Sequence, residues 1–159
     1  MNAGHPHTTD PEGTRVKPMD RDALEAAVRL YFEACNKVDA ELFARCLSER
    51  VVHYLAKGMS GPIHGIPPVV ERWGADVRAN SSYWVVDAVY ADEATRTAVC
   101  EWTGVKPGLG RVLRGAEVYR FDDDGLIDEI RIYYASRRDD GFDANELEGF
   151  PYGERGFAQ

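Results

Sequence analysis

The chain has 159 residues, 44% hydrophobic and 29% charged, which supplies one domain with a core and argues against a wholly disordered polymer. Nineteen basic residues against 27 acidic ones leave a net charge of −8, which speaks against a general binder of nucleic acid. No apolar run approaches the roughly 18–20 residues that span a bilayer, so no membrane partner is expected, and no basic-then-apolar leader opens the sequence.

Residues 1–19 carry Pro6, Pro11, Pro18, Gly4 and Gly13 with almost no apolar side chains, and read as a flexible tail in which His5 and His7 are solvated. A helix begins near Asp20 or Asp22, where Asp22 with Glu25 gives a capping-box-like start. Its apolar stripe is Leu24, Ala27, Val28, Tyr31 and Cys35. Asp39 caps a second short helix with the stripe Leu42, Phe43, Cys46 and Leu47. Val51–Leu55 reads as a strand and Lys57–Gly65, rich in Gly and Pro, as a loop. Pro67 and Pro68 suit the first turn of a third helix, lined by Val69, Val70, Trp73 and Val77.

After Asn80 the period changes from 3.6 to 2 and predicts four strands: Tyr83–Tyr90, Thr95–Val105, Arg111–Phe121 and Leu126–Ala135. Asp124-Gly125 is the strongest hairpin signal. Helices followed by an antiparallel meander indicate an α+β domain over residues 20–136. Residues 137–159 form a polar C-terminal tail, with Phe142, Phe150, Tyr152 and Phe157 available to pack over a pocket or a partner subunit. The three cysteines, Cys35, Cys46 and Cys100, form no CxxC pair and no ligand pattern. They are expected as free core thiols of a cytoplasmic protein, and no metal or other cofactor is expected.

Strand alternation sorts the polar candidates. One face of Arg111–Phe121 carries Leu113, Gly115, Glu117, Tyr119 and Phe121, and the other carries Arg114 and Arg120. Glu117 therefore falls on the apolar face, where a carboxyl raises its pKa and can donate a hydrogen bond. A buried structural pair, or an exposed far face of the sheet, is the other reading. His53 shares the face of Val51 and Leu55, either as a packed core histidine or as the neutral-pH proton carrier. Tyr31 either fills the core or donates from its hydroxyl into a cavity. Trp102 lies with Ala98 and Cys100 as core or pocket wall. In the last strand Leu126, Asp128, Ile130, Ile132 and Tyr134 share one face, and Asp128, Glu129 and Arg131 read as surface pairs.

Three stretches resemble the nuclear transport factor 2-like superfamily, specifically its SnoaL-like (polyketide-cyclase-like) and ketosteroid-isomerase-like branch. They are Tyr31–Asn36 followed by Asp39, the strand and Gly-rich loop Val51–Gly65, and Glu117–Arg131. The resemblance covers about residues 20–136. It implies a cone-shaped curved sheet wrapped around the N-terminal helices, an apolar pocket and a homodimer. Tyr31 resembles the helix tyrosine of the steroid isomerases, and Glu117 stands where they keep a protonated aspartic acid. Their general-base aspartate falls on Leu55, leaving His53 as the nearest substitute. The Asp-Arg-Asp set of limonene epoxide hydrolase falls on Gly104, Trp102 and Ile132, so that triad is missing.

The expectation is a cofactor-free isomerase, dehydratase or cyclase acting on a small apolar substrate with a carbonyl or hydroxyl. Tyr31 and Glu117 polarise its oxygen and His53 shuttles a proton, while Leu55, Trp73, Trp102, Tyr119, Ile132 and Tyr134 bind the substrate. A non-catalytic ligand-binding or assembly domain is the alternative. Metal held by His53 with His64 or Glu117 matches no standard ligand spacing.

Overall fold

A computed structural model describes residues 20–135, 147–151 and 153–155. The expected tail at residues 1–19 and most of 137–159, including Phe142, Tyr152 and Phe157, lie outside the described residues. Helix α1 (Arg21–Lys37) starts at Asp20, whose carboxylate accepts from the Ala23 amide at 2.8 Å. Its buried stripe holds Leu24, Val28, Tyr31, Phe32, Ala34 and Cys35. It stops at Val38, which takes the left-handed conformation at φ 53°. Asp39 caps α2 (Ala40–Cys46) through the Glu41 and Leu42 amides. The next strand, β1 (Leu47–Tyr54), begins four residues earlier than the sequence suggests, so Leu47 opens a strand and does not extend the helical stripe.

A two-residue strand, β2 (Ile63–His64), pairs with Val52 and His53 inside the stretch expected as loop. The glycines and prolines on either side mask it. Helix α3 (Ile66–Asn80) follows, with prolines in its first turn. Then come β3 (Tyr83–Asp92), β4 (Thr97–Lys106), a 3-10 turn at Pro107–Leu109, β5 (Arg111–Phe121) and β6 (Ile127–Tyr134). The sheet order is β2-β1-β6-β5-β4-β3. Every pairing is antiparallel except β1 with β6, so the first long strand lies beside the last. The result is an open, mixed, curved sheet over three helices, not a closed barrel. Bulges between Val86 and Ala88, and opposite Arg120/Phe121, bend the strands.

The bulge opposite Arg120/Phe121 changes one expected face. Phe121 pairs with Ile127 and Arg120 with Glu129, leaving Asp128 as the extra residue. Ile127 therefore turns inward and is fully buried, while Asp128 leaves the inner face to pair with Arg120 at 2.9 Å. Glu129 is not a surface charge: it is 4% exposed and meets Arg155 at 2.6 Å and Arg131 at 3.4 Å.

The C-terminal segment supplies part of that cover. Phe150 packs edge-on against Tyr54 with ring centroids 5.1 Å apart, and the Arg155 guanidinium lies over the Phe150 ring. Leu147 bridges to Ala56, and the Glu148 amide donates to the Leu55 carbonyl at 3.0 Å. The core lies between α1, α3 and the inner face of the sheet.

Candidate active site

The three expected polar residues come together on that inner face. His53 pairs with Ile130, and Ile130 pairs with Tyr119; one step along, Ile132 pairs with Glu117. Strand β6 thus separates His53 from Glu117 by one strand, and α1 lays Tyr31 across them. Tyr31, His53, Glu117 and Tyr119 are all at most 3% exposed.

Their contacts form a row with one gap in its hydrogen bonding. The Trp73 indole N–H donates to the Tyr31 hydroxyl at 3.0 Å. That hydroxyl is 3.4 Å from His53 Nδ1, a long hydrogen bond. His53 Nε2 is buried without a hydrogen-bond partner and faces Glu117 Oε1 at 4.0 Å. The other carboxyl oxygen, Glu117 Oε2, accepts from the Tyr119 hydroxyl. Sequence alternation put Tyr119 on the right face but not in this role: the expected substrate contact is hydrogen-bonded to the acid.

Burial sets the proton affinities. It pushes the Glu117 pKa up to about 7, against a smaller lowering by the Tyr119 hydrogen bond. The His53 imidazole is pushed down to about 3, by burial first and by the Arg72 charge second. Burial also raises Tyr31, Tyr119 and Cys35 well above their usual values, so all three stay neutral near pH 7. His53 is accordingly a neutral ring at physiological pH, and Glu117 is the group that titrates there.

Apolar and aromatic residues enclose the row. Leu55, Trp73, Trp102 and Ile132 are buried, and Tyr134 is half-buried against the core. The Trp102 ring lies over Gly115, where a Cβ would come within 2.4 Å of it, and meets Tyr134 edge-on at 5.6 Å. Its indole nitrogen is also buried without a partner. Trp84 packs on Trp73 at 5.3 Å and is held by Asn36, whose amide bonds both the N–H and the C=O of Trp84 at 2.7 and 2.8 Å.

His64 is exposed, and among the described residues no group of three or more His, Cys, Asp or Glu side chains is placed to hold a metal. Among those residues no helix is long and apolar enough to cross a membrane. A surface hollow of about 480 Å³ beyond the end of β5 is lined by Arg50, Arg96, Arg120, Asp123 and Asp128. Its Arg96 and Arg120 are already paired with Asp123 and Asp128.

Fold and site together define a cystatin-like α+β domain of the nuclear transport factor 2-like kind, with an acid, an imidazole and two phenols on the concave side of its sheet. The chain belongs to the SnoaL-like domain family, which it matches over residues 28–130. It is 38% identical to a protein of unknown function with a cystatin-like fold from Methylobium petroleophilum PM1, with a TM-score of 0.82 over 90% of this chain and 95% of that one. A ketosteroid isomerase candidate from Kribbella flavida shares the fold at 20% identity and TM-score 0.62, covering 74% of this chain and 81% of its own. RV0760c from Mycobacterium tuberculosis, solved with estradiol-17beta-hemisuccinate, shares it at 18% identity and TM-score 0.59, covering 70% and 92%. No curated protein matches the sequence.

Proposed function

We propose that the protein is an enzyme that activates a substrate oxygen between His53 and Glu117, in a reaction of the isomerase, dehydratase or cyclase type. The observation that carries this reading is the 4.0 Å opening between the partnerless His53 Nε2 and Glu117 Oε1. An oxygen at hydrogen-bond distance from each atom, about 2.8 Å, would bridge that gap. Trp73 donates to Tyr31, so the Tyr31 proton is free to go to His53 Nδ1. The ring proton then resides on Nε2 and points into the opening. Below pH 7 Glu117 is protonated and supplies a second donor from Oε1, while Tyr119 fixes Oε2. Two donors in a water-poor core converge where negative charge develops on a carbonyl or leaving hydroxyl oxygen.

The roles differ from the expected ones. Glu117, with a pKa near neutrality, is the group that gives and recovers a proton; His53 is a neutral donor, and Tyr31 positions it. The substrate class supported is a small, largely apolar molecule with one activated oxygen, bound among Leu55, Trp73, Trp102, Ile132 and Tyr134. No metal or other cofactor is required by this chemistry.

Titration with substituted phenols, which mimic an enolate, tests it. Binding that tightens with phenol acidity and weakens at least tenfold in Glu117→Ala supports the reading. Failure of both proteins to bind any phenol turns the assignment to a non-catalytic ligand-binding or assembly domain.

The outward face of the sheet supports a homodimer. Val85, Tyr90, Val99, Val112 and Tyr133 are exposed there, on one side of β3–β6. Light scattering of Val112→Asp and Tyr90→Asp beside the parent checks this: a dimer that the substitutions convert to monomer supports the face, and a monomeric parent rejects it.

A further inference from the structure

Helix α3 carries one charge that the oxygen-activating site does not use. Arg72 is half-buried, one residue before the Trp73 that holds Tyr31. Its Nε is buried and has no hydrogen-bond partner. Among the described residues it is the one arginine that is not exposed and has neither an ion pair nor a hydrogen bond. The remaining half-buried arginines, Arg96 and Arg131, meet Asp123 and Glu129.

A buried guanidinium N–H without an acceptor is costly, and the mate best matched to the planar fork is a carboxylate. The chain has carboxylates in excess, with a net charge of −8, yet among the described residues none pairs with Arg72. The position is informative as well. α3 packs on β1, the strand of His53, and the Arg72 cation adds to burial in holding that imidazole neutral. A ligand seated at the His53–Glu117 opening therefore lies within the electrostatic reach of Arg72.

Resting on the oxygen-activating reading above, we propose that Arg72 is a specificity residue that binds a carboxylate on the substrate, so the natural substrate class is an apolar oxygenated acid. Arg72 anchors the anionic end, and the opening takes the reacting oxygen. The overall negative charge of the protein repels anions in general. A preference for acids then reports a local cation and not a global field.

The test uses the whole protein and three probes read by tryptophan fluorescence and calorimetry. These are 4-ethylphenol, a series of 4-hydroxyphenyl alkanoates of increasing chain length, and the matching primary amides. The proposal expects one or more acids to bind at least tenfold tighter than the amide of equal length. Raised salt should weaken this preference. Arg72→Gln should abolish it while leaving 4-ethylphenol binding within about twofold, and Arg72→Lys should restore only part of it.

Equal binding of acids and amides to the parent overturns the proposal while the oxygen site stands, because 4-ethylphenol still reports that site. A preference that survives in Arg72→Gln overturns it too. Failure of all three probe types to bind removes the oxygen-activating reading and this one together.

Discussion

Replacing Glu117 with Gln keeps the shape and the acceptor for Tyr119 but removes the titrating proton. The energetic consequence follows from burial. Glu117 has a pKa of about 7 in the fold against 4.5 for the free side chain. Below pH 4.5 both folded and unfolded chains hold the proton. Between 4.5 and 7 the unfolded chain releases it and the folded chain does not, so stability falls as pH rises. At ~1.4 kcal/mol for each pH interval, the accumulated penalty above pH 7 is about 3 kcal/mol. His53 works in the opposite sense. Its ring stays neutral down to about 3, while the unfolded chain takes up a proton below 6.5, so stability falls as pH drops through that window. From 4.5 to 6.5 the two slopes cancel, and their net contribution to the parent's stability is flat. Glu117→Gln removes one slope and leaves the other. Urea denaturation at intervals from pH 4.5 to 7.5 should show the variant gaining about 3 kcal/mol relative to the parent across that range. Tyr31, Cys35, Tyr119 and Cys100, whose pKa values burial raises, stay neutral throughout and leave this difference untouched. A difference that is constant with pH refutes the claim that Glu117 is a buried acid titrating near neutrality.

Activity on a responding substrate should be full below pH 7 and decline as pH rises through about 7, because the protonated Glu117 is the active form; an initial-rate profile of the parent checks this. Glu117→Ala, which removes the donor outright, should lower kcat/KM by about a hundredfold or more, the usual effect of losing one oxyanion donor. Gly115→Ala places a methyl within 2.4 Å of the Trp102 ring and 2.5 Å of the Tyr133 carbonyl. Overpacking of that kind should cost about 1–3 kcal/mol, visible as a lowered urea midpoint with an unchanged slope. Asn36→Ala strips two partners from the Trp84 backbone and should cost roughly 1–3 kcal/mol in the same assay.

Much of the site was legible because a strand's period of two is unforgiving. A carboxylate at Glu117 can share a face with Leu113 and Phe121 only if it is buried or if that face is wet, and the arginines at 114 and 120 identify the wet side. Helical spacing placed Tyr31 the same way. What escaped was whatever depends on pairing between distant segments. Asp128 is the extra residue of a bulge, and nothing in Ile127–Arg131 announces it; without it Ile127 faces out and Glu129 reads as a surface charge. The β2 strand is two residues long between glycines and prolines, below any periodic signal. Tyr119 was placed on the correct face, but its hydrogen bond to Glu117 was not foreseen, since alternation gives a face and not a partner. Arg72 carries no signal in the sequence; only the burial of its Nε singles it out. The basicity of His53 was misjudged for a related reason: residue type sets a starting pKa, and only three-dimensional enclosure moves it to about 3.

The strand order has a consequence for the time at which function appears. His53 stands on β1 and Glu117 on β5, and β6, the last strand of the sheet, is the wedge between them. A chain emerging from the ribosome carries His53 long before, and Glu117 shortly before, it carries Ile130 and Ile132, the residues against which they are aligned. The parallel β1–β6 pairing closes a loop of about half the chain, a contact with a large entropic cost and a slow approach. Neither half-site holds its geometry until that strand arrives. Ligand capture at the His53–Glu117 opening is therefore a clock for the closing step of folding, whereas helix content reports only the earlier ones.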